Sequence, residues 1–277
     1  MSAMVNVHRS WELLVNLTLR DLRSKYRATA LGHLWSLANP LTIMAVYTVV
    51  FGLILRVSPP AGDPSGLDVF AIWLLCGLLP WNFFTMVANG GMLSITSNEN
   101  LIKKVAFPRS ALVVSNAIGL WITWTLEMAV LVLVLVVFGA NPLPWIPLVL
   151  LLMILMGAFA TGLSLLLSIV NVYFRDIQHF VVILLQVWFF LTPIIYPESL
   201  TRTQSDRFGP IVGSWTLHDF YVLNPLCQFV EAFRNLLYDN RLPDLTTSFA
   251  CLAWSTVALA GGYWVFHKYE RGLAEAL

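Results

Sequence analysis

"NVYFRDIQHF", Asn171 to Phe180, interrupts a chain that is otherwise almost unbroken apolar from Leu148 to Tyr196. Arg175 and Asp176 stand side by side near its middle. Burying two charges is costly, so they either face water between two elements or serve a site inside one. Spacing decides. A bilayer core about 30 Å thick takes roughly 20 helical residues at about 1.5 Å each. Leu148–Val170 is 23 residues and Ile177–Tyr196 is 20, each about one bilayer. Arg175-Asp176 therefore reads as a tight turn between two spans at the water boundary. Asp176 is expected to cap the following helix while Arg175 stays at the headgroups.

The rest of the chain repeats this pattern. Hydrophobic residues make up 58% of the 277 and charged residues 11%, with a mean hydropathy of +0.76. A soluble domain carries about 25% charged residues, so this chain is not built mainly for water. Six segments are long and apolar enough to cross a bilayer: about 35–56, 69–92, 110–138, 148–171, 177–196 and 246–267. The expected fold is an all-α integral membrane protein of six transmembrane helices, a single domain over 1–277. Residues 1–33 hold no apolar stretch of signal-peptide length, so the N-terminus is expected in the cytosol. That orientation puts Arg9, Arg20, Arg23, Lys25, Arg27, Lys103, Lys104, Arg109, Arg175, Lys268 and Arg271 inside, 11 of the 16 basic residues. The five others share the outer side with eight acidic residues between Asp63 and Asp244. The positive-inside rule thus places both termini in the cytosol of a cell (inner or plasma) membrane. An isoelectric point near 7.8 argues against a nucleic-acid partner. Cys76, Cys227 and Cys251 are odd in number, lack metal-ligand spacing and read as small buried hydrophobes.

Three pieces do not span. In Ser10–Arg27, Trp11, Leu14, Val15, Leu19, Leu22 and Tyr26 recur at helical spacing opposite Glu12, Asn16, Arg20, Arg23 and Arg27. This predicts an amphipathic helix in the cytosolic interface, the alternative being a solvated helix packed on protein. The loop "SNENLIKKVAFPRS", Ser97–Ser110, is either simple basic flanking or an element that another protein grips. Between the fifth and sixth spans, "NPLCQFVEAFRNLLYDN" predicts a helix capped by Asn224 with Pro225 at its first position. Leu226, Phe229, Val230, Phe233, Leu236 and Leu237 form one face, with Gln228, Glu231, Arg234 and Asn235 opposite. At about 13 residues it is too short to span, so it is expected to lie on or dip into the outer leaflet within a re-entrant region, 198–243.

Catalytic patterns are missing. The four lysines follow no phosphate-loop glycines, the five histidines form no HExxH, and there is no GxSxG. Glu127 is the only acidic residue within the spans, either a site residue or a partner for a neighbouring helix or wet interface. The spans carry aromatic residues instead, among them Trp73, Trp81, Phe83, Phe84, Trp121, Trp124, Trp188, Phe189, Phe190 and Tyr196. They serve as belt or packing residues, or as the wall of a sugar-conducting path. Ala158/Gly162 and Ser164/Ser168 read as helix-packing pairs.

Taken in order, these stretches resemble the membrane (permease) subunit of a type-2 ABC transporter of the class that exports lipid-linked polysaccharides: O-antigen, capsule, teichoic acid or galactan. "RSKYRATALGHLW" (Arg23–Trp35) is similar to the family's interface-helix end and Leu-Gly loop, followed by "NPL" at Asn39–Leu41. "NENLIKKVAFPRS" resembles its coupling helix (97–109), "NVYFRDI" its turn between spans four and five, "FLTPIIYP" the end of the fifth span, and "LNPL" with Arg234 its outer helices. The resemblance implies a channel-forming subunit, not an enzyme, working as a homodimer with two copies of a cytosolic ATPase that binds ATP and Mg. No cofactor or metal is expected in this chain. Twelve arginines against four lysines point to a high-GC genome and a cell-wall galactan, and no appended glycan-reading domain is seen. The other classes considered are a secondary carrier or flippase and a membrane-embedded glycosyl or acyl transferase. On this resemblance, Leu101, Ile102, Lys103, Lys104, Phe107, Pro108 and Arg109 are expected to dock the ATPase. Lys25, Arg27, Leu31, Gly32 and His33 are expected to receive the anionic lipid head of a lipid-diphosphate-linked polysaccharide. Tyr47, Phe51, Trp188, Phe189 and Tyr196 are expected to line the path, and Asn224, Pro225, Phe229, Phe233 and Arg234 to form its outer gate.

Overall fold

The computed structural model describes residues 12, 14–20, 35–54, 60–105 and 107–273. Helices dominate. After α1 (14–20) come α2 (Trp35–Tyr47), which continues as a π-helix to Ile54, and α3 (Phe70–Ser94). Then follow the short α4 (Glu99–Lys104), α5 (Ser110–Val137), α6 (Ile146–Tyr173) and α7 (Ile177–Phe190). Next come α8 (Glu198–Phe208), a hairpin of β1 (Pro210–Val212) and β2 (Trp215–Thr216), α9 (Leu217–Val222) and α10 (Pro225–Arg234). The chain leaves α10 by a π-turn, Asn235–Asp239, and enters α11 (Leu245–Tyr269). The hairpin holds the only strands among the described residues, reversing at Gly213, whose φ of 60° suits glycine.

Among the described residues, four helical stretches are long and apolar enough to cross a membrane: α3, α5, α6 with its 3-10 lead-in from Leu143, and α11. The fifth expected span falls short. Its apolar pattern runs from Ile177 to Tyr196, but α7 stops at Phe190 after 14 residues, about 21 Å. Pro193 explains this, because it has no N–H to donate and its ring crowds the preceding turn. Residues 191–196 turn instead, with the Thr192 N–H donating to the Phe189 carbonyl (3.2 Å). The Arg175-Asp176 turn joins α6 to α7, but the Asp176 side chain makes no capping bond; its main-chain carbonyl accepts from His179 and Phe180.

The most enclosed of the four long helices is α3, and rings knit the core around it. Phe83 stacks on Trp124 of α5 (centroids 4.2 Å), Phe84 on Phe159 of α6 (5.6 Å), and Phe233 of α10 meets Trp124 edge-on (5.7 Å). Where α6 crosses α11, a methyl group on Gly262 would lie 1.9 Å from the Gly162 carbonyl oxygen, so the backbones touch and only glycine fits. A smaller core gathers at the C-terminal end of α3: Leu17, Ile95, Ile102, Leu112, Ile169, Phe266 and Leu273. Leu17 joins the first helix to this core, with Leu14 packed against it. The buried side of the helix runs through Leu17 and Thr18, while Val15 and Leu19 of the expected apolar stripe are exposed.

Candidate functional site

The two ends of α3 hold the residues singled out in sequence. At its N-terminal end, α10 begins with Asn224, whose Oδ1 accepts the Leu226 N–H (3.0 Å). The same oxygen accepts the Trp188 Nε1–H of α7 (2.9 Å), and the Asn224 amide donates to the Leu191 carbonyl and to Thr192 Oγ1 (both 3.2 Å). One asparagine thus caps α10 and fastens it to the frayed end of α7. Pro225 starts the helix, and Phe229 and Phe233 are wholly buried.

Most of the opposite, polar face is buried as well. Gln228, Arg234 and Asn235 are all enclosed, and Gln228 donates to the Val222 carbonyl. Arg234 donates to the carbonyls of Pro193 and Ile194, the groups released where α7 ends, and its guanidinium lies 3.6 Å from the centre of the Trp73 ring. Burial lowers its pKa to about 10, so it remains charged at neutral pH. A buried cation is tolerated because two carbonyls and an aromatic face replace its water. The helix is wedged against α3 and α11. Beside it a cavity of about 240 Å³ is lined by Glu198, Glu231, Arg234, Asp239 and Arg241 among others. There burial, then a hydrogen bond with Glu198, raises Glu231 to about 8.

The proposed path residues sit at the rim of the core. Tyr47 stacks on Phe51 (5.4 Å), Phe51 on Phe70 (5.0 Å), and Phe70 leans on Trp73 (5.6 Å), so a ring ladder leads from α2 to Arg234. Trp188 meets Phe84 edge-on and Phe189 meets Trp81 edge-on (both 5.5 Å). Tyr196 donates to the Phe190 carbonyl (2.7 Å) and accepts from Tyr221 (2.6 Å), bridging the turn to α9. All five are half-buried or anchored.

At the other end of α3, α4 carries the expected docking residues, helical only to Lys104 because the chain must turn through Pro108 into α5. Ile102 is buried in the smaller core, and Leu101 and Phe107 pack against it. Ile102 is thus packed into this chain's own core. Lys103 pairs with Glu99, holding that carboxylate below its usual range. Arg109 donates to the Glu270 carbonyl beyond α11. A recess of about 630 Å³ opens between these residues, walled by Lys103, Lys104, Phe107, Pro108, Arg109 and Glu270.

A profile of the ABC-2 type transporter family matches residues 12–238. The chain belongs to that family. It is 30% identical over 265 residues to the "O-antigen export system permease protein RfbA" of Myxococcus xanthus, covering 96% of this chain and 95% of that protein. A protein of the same name from Klebsiella pneumoniae is 30% identical over 275 residues, 98% of this chain and 97% of the relative. The "Polysialic acid transport protein KpsM" of Escherichia coli is 25% identical over 262 residues, 93% of each.

This ABC-2 transporter chain is thus a multi-pass membrane protein, and its family is one of transporters rather than catalysts. Among its described residues no group of three or more acidic, histidine or cysteine side chains is placed to hold a metal. Lys25, Arg27, Leu31, Gly32 and His33 lie outside the described residues. Glu127 is half-buried on α5. Asn171 was overlooked in the sequence. It is buried on α6 and donates to the Met92 carbonyl (3.3 Å), tying α6 to α3 beside the small core. A lone asparagine in an apolar run was its only signal.

Proposed function

We propose that this ABC-2 family chain is the channel-forming permease subunit of an ATP-driven exporter that carries a lipid-linked polysaccharide from the cytosol across the cell membrane. The observation that carries this is end-to-end similarity to polysaccharide-export permeases, over 96–98% of the chain for the two relatives at 30% identity. Two protomers and two ATPase subunits form the working unit, each protomer crossing the membrane six times with both termini in the cytosol. α2 and its π-continuation supply one crossing. The 14 residues of α7 supply another, completed by the turn that Arg234 and Asn224 hold. ATP and Mg bind the ATPase, which docks at α4 and the recess beside it. Lys25, Arg27 and His33 flank Leu31-Gly32 and hold the anionic lipid head by charge. The glycan then threads a seam between protomers past Tyr47, Phe51, Trp188, Phe189 and Tyr196. Many weak ring contacts suit a sliding polymer better than one tight pocket, and Asn224, Pro225, Phe229, Phe233 and Arg234 close the outer end at rest.

Loss of this chain from its native cell tests the reading. Surface polysaccharide should disappear, with lipid-linked polymer held on the cytosolic leaflet, and only the chain together with an active ATPase should restore export. Unchanged surface polysaccharide would overturn it.

A further inference from the structure

On α3, which is mostly enclosed, polar side chains share the open side with the exposed Met86 and Leu93. Asn82, Thr85 and Asn89, at spacings of three and four, are each partly exposed. They extend over about 10 Å of depth, a third of a bilayer core. Facing Thr85 and Asn89 on α7 is Gln186, exposed and without a side-chain hydrogen bond among the described residues. Between the two helices lies a groove of about 330 Å³ whose walls include Trp81, Thr85, Asn89, Gln186, Phe189 and Phe190.

We propose that this groove is a saccharide-contact site within the membrane, taking sugar hydroxyls on its amides and the C–H faces of neutral sugar rings on its aromatic side chains. The proposal rests on the export reading and adds residues on α3 that the aromatic path does not contain.

Hydrogen-bond accounting supports it. The Asn89 amide nitrogen donates to the Thr85 carbonyl (2.9 Å), while its Oδ1 accepts no hydrogen bond among the described residues. Thr85 Oγ1 donates to the Asn82 carbonyl (2.9 Å) and keeps its lone pairs. Gln186 contributes a donor and an acceptor. A hydrocarbon tail meets none of these needs, and polar groups exposed to lipid are unfavourable. Tight packing against a second helix does not suit the walls either. Membrane helix interfaces use small residues that let backbones approach, whereas three large rings line this groove. A sugar chain has hydroxyl donors and acceptors around its rim and apolar faces above and below. No charged residue lines the groove among the described residues, so contacts stay weak enough for a polymer to move on.

The test uses the whole exporter in its native cells. Asn89→Cys and Gln186→Cys are treated with a small anionic, water-soluble thiosulfonate, with polymer synthesis either running or switched off. Cys76, Cys227 and Cys251 are buried and give a low background. Leu184→Cys, about 200° around α7 from Gln186, is the lipid-facing control. The expected result is reaction at 89 and 186 but not at 184, slowed about threefold or more while polymer is being made, as for a partly occupied site. In parallel, Asn89→Leu with Gln186→Leu should slow export about fivefold or more while the ATPase still co-purifies, and Gln186→Asn should recover most of it. No reaction at either position means that the groove faces lipid or a second copy, and overturns the proposal. Reaction that polymer synthesis does not slow overturns the saccharide occupant while leaving the exporter reading intact. Surface polysaccharide that survives loss of the whole chain instead removes the reading on which the occupant depends.

Discussion

The two ends of α3 solve opposite problems. At the N-terminal end, Arg234 rests on two carbonyls and a tryptophan ring, Asn224 holds four partners, and Tyr238 donates to the Leu67 carbonyl (2.8 Å). At the other end, α4 is a six-residue helix resting on a small apolar core, with its lysines and Glu99 in the open. The first arrangement holds a broken helix in one geometry, because each buried polar group loses much if its partner moves. The second keeps a surface available and asks little of its charges. On the proposed reading the first is a gate, which must stay closed against gradients, and the second a dock, which must be reachable.

The sharpest way to break this contrast is Arg234→Met. It leaves the Pro193 and Ile194 carbonyls without a donor, an expected cost of about 3 kcal/mol or more. Arg234→Lys should restore little of this, since an ammonium cannot reach both carbonyls and cover a ring together. Thermal unfolding of the detergent-solubilised protein measures both, and an unchanged midpoint for the methionine variant would show that the N-terminal end is not held as described. Next in size, Phe107→Ala with Leu101→Ala should weaken ATPase co-purification by about 2 kcal/mol per side chain if these are interface anchors. Both side chains also pack on the small core, so thermal unfolding of the free subunit must be measured alongside. Association lost without a drop in stability assigns them to the dock.

A smaller effect follows from Glu231. Its pKa is raised from 4.5 to about 8, so the folded state binds a proton that the unfolded state releases. Its contribution to stability is therefore complete below about pH 4.5 and is lost as pH rises towards 8. Wild-type protein should unfold at progressively lower temperature than Glu231→Gln between pH 5 and 8, by ordinary linkage (about those limits). Parallel curves would place Glu231 in water. Smallest of all, Lys103→Gln with Lys104→Gln should leave thermal unfolding unchanged and slow ATPase association only at low salt, as expected for open, screened charges.

Much of the helical layout was legible because hydropathy and length are set by the bilayer, whatever the neighbours do. The start of α10 was legible too, since Asn224-Pro225 satisfies local rules of helix initiation. The end of α7 was not. An unbroken apolar run hides the point where Pro193 stops the ladder, and only the arginine forty residues later shows where the released carbonyls go. The face of α10 was misread for the same reason. Gln228, Arg234 and Asn235 look solvent-facing by pattern, but a pattern cannot reveal carbonyl groups waiting on another segment. Likewise Leu17 turned inward because the ends of α4, α5, α6 and α11 formed a surface for it.

By itself the sequence determined that the chain is helical and apolar enough for a membrane, which segments carry the apolar length, and which family it belongs to. Those properties depend on residues within a turn or two of one another, on total hydrophobic length, or on order along the chain. Tertiary structure alone decided which polar side chains are buried, which aromatics are fixed by a hydrogen bond, and that Ile102 belongs to the chain's own core. It also set Thr85, Asn89 and Gln186 around one groove. Each of these needs a partner from a distant segment, and a hydrogen bond or a contact exists only when both groups arrive at the same place.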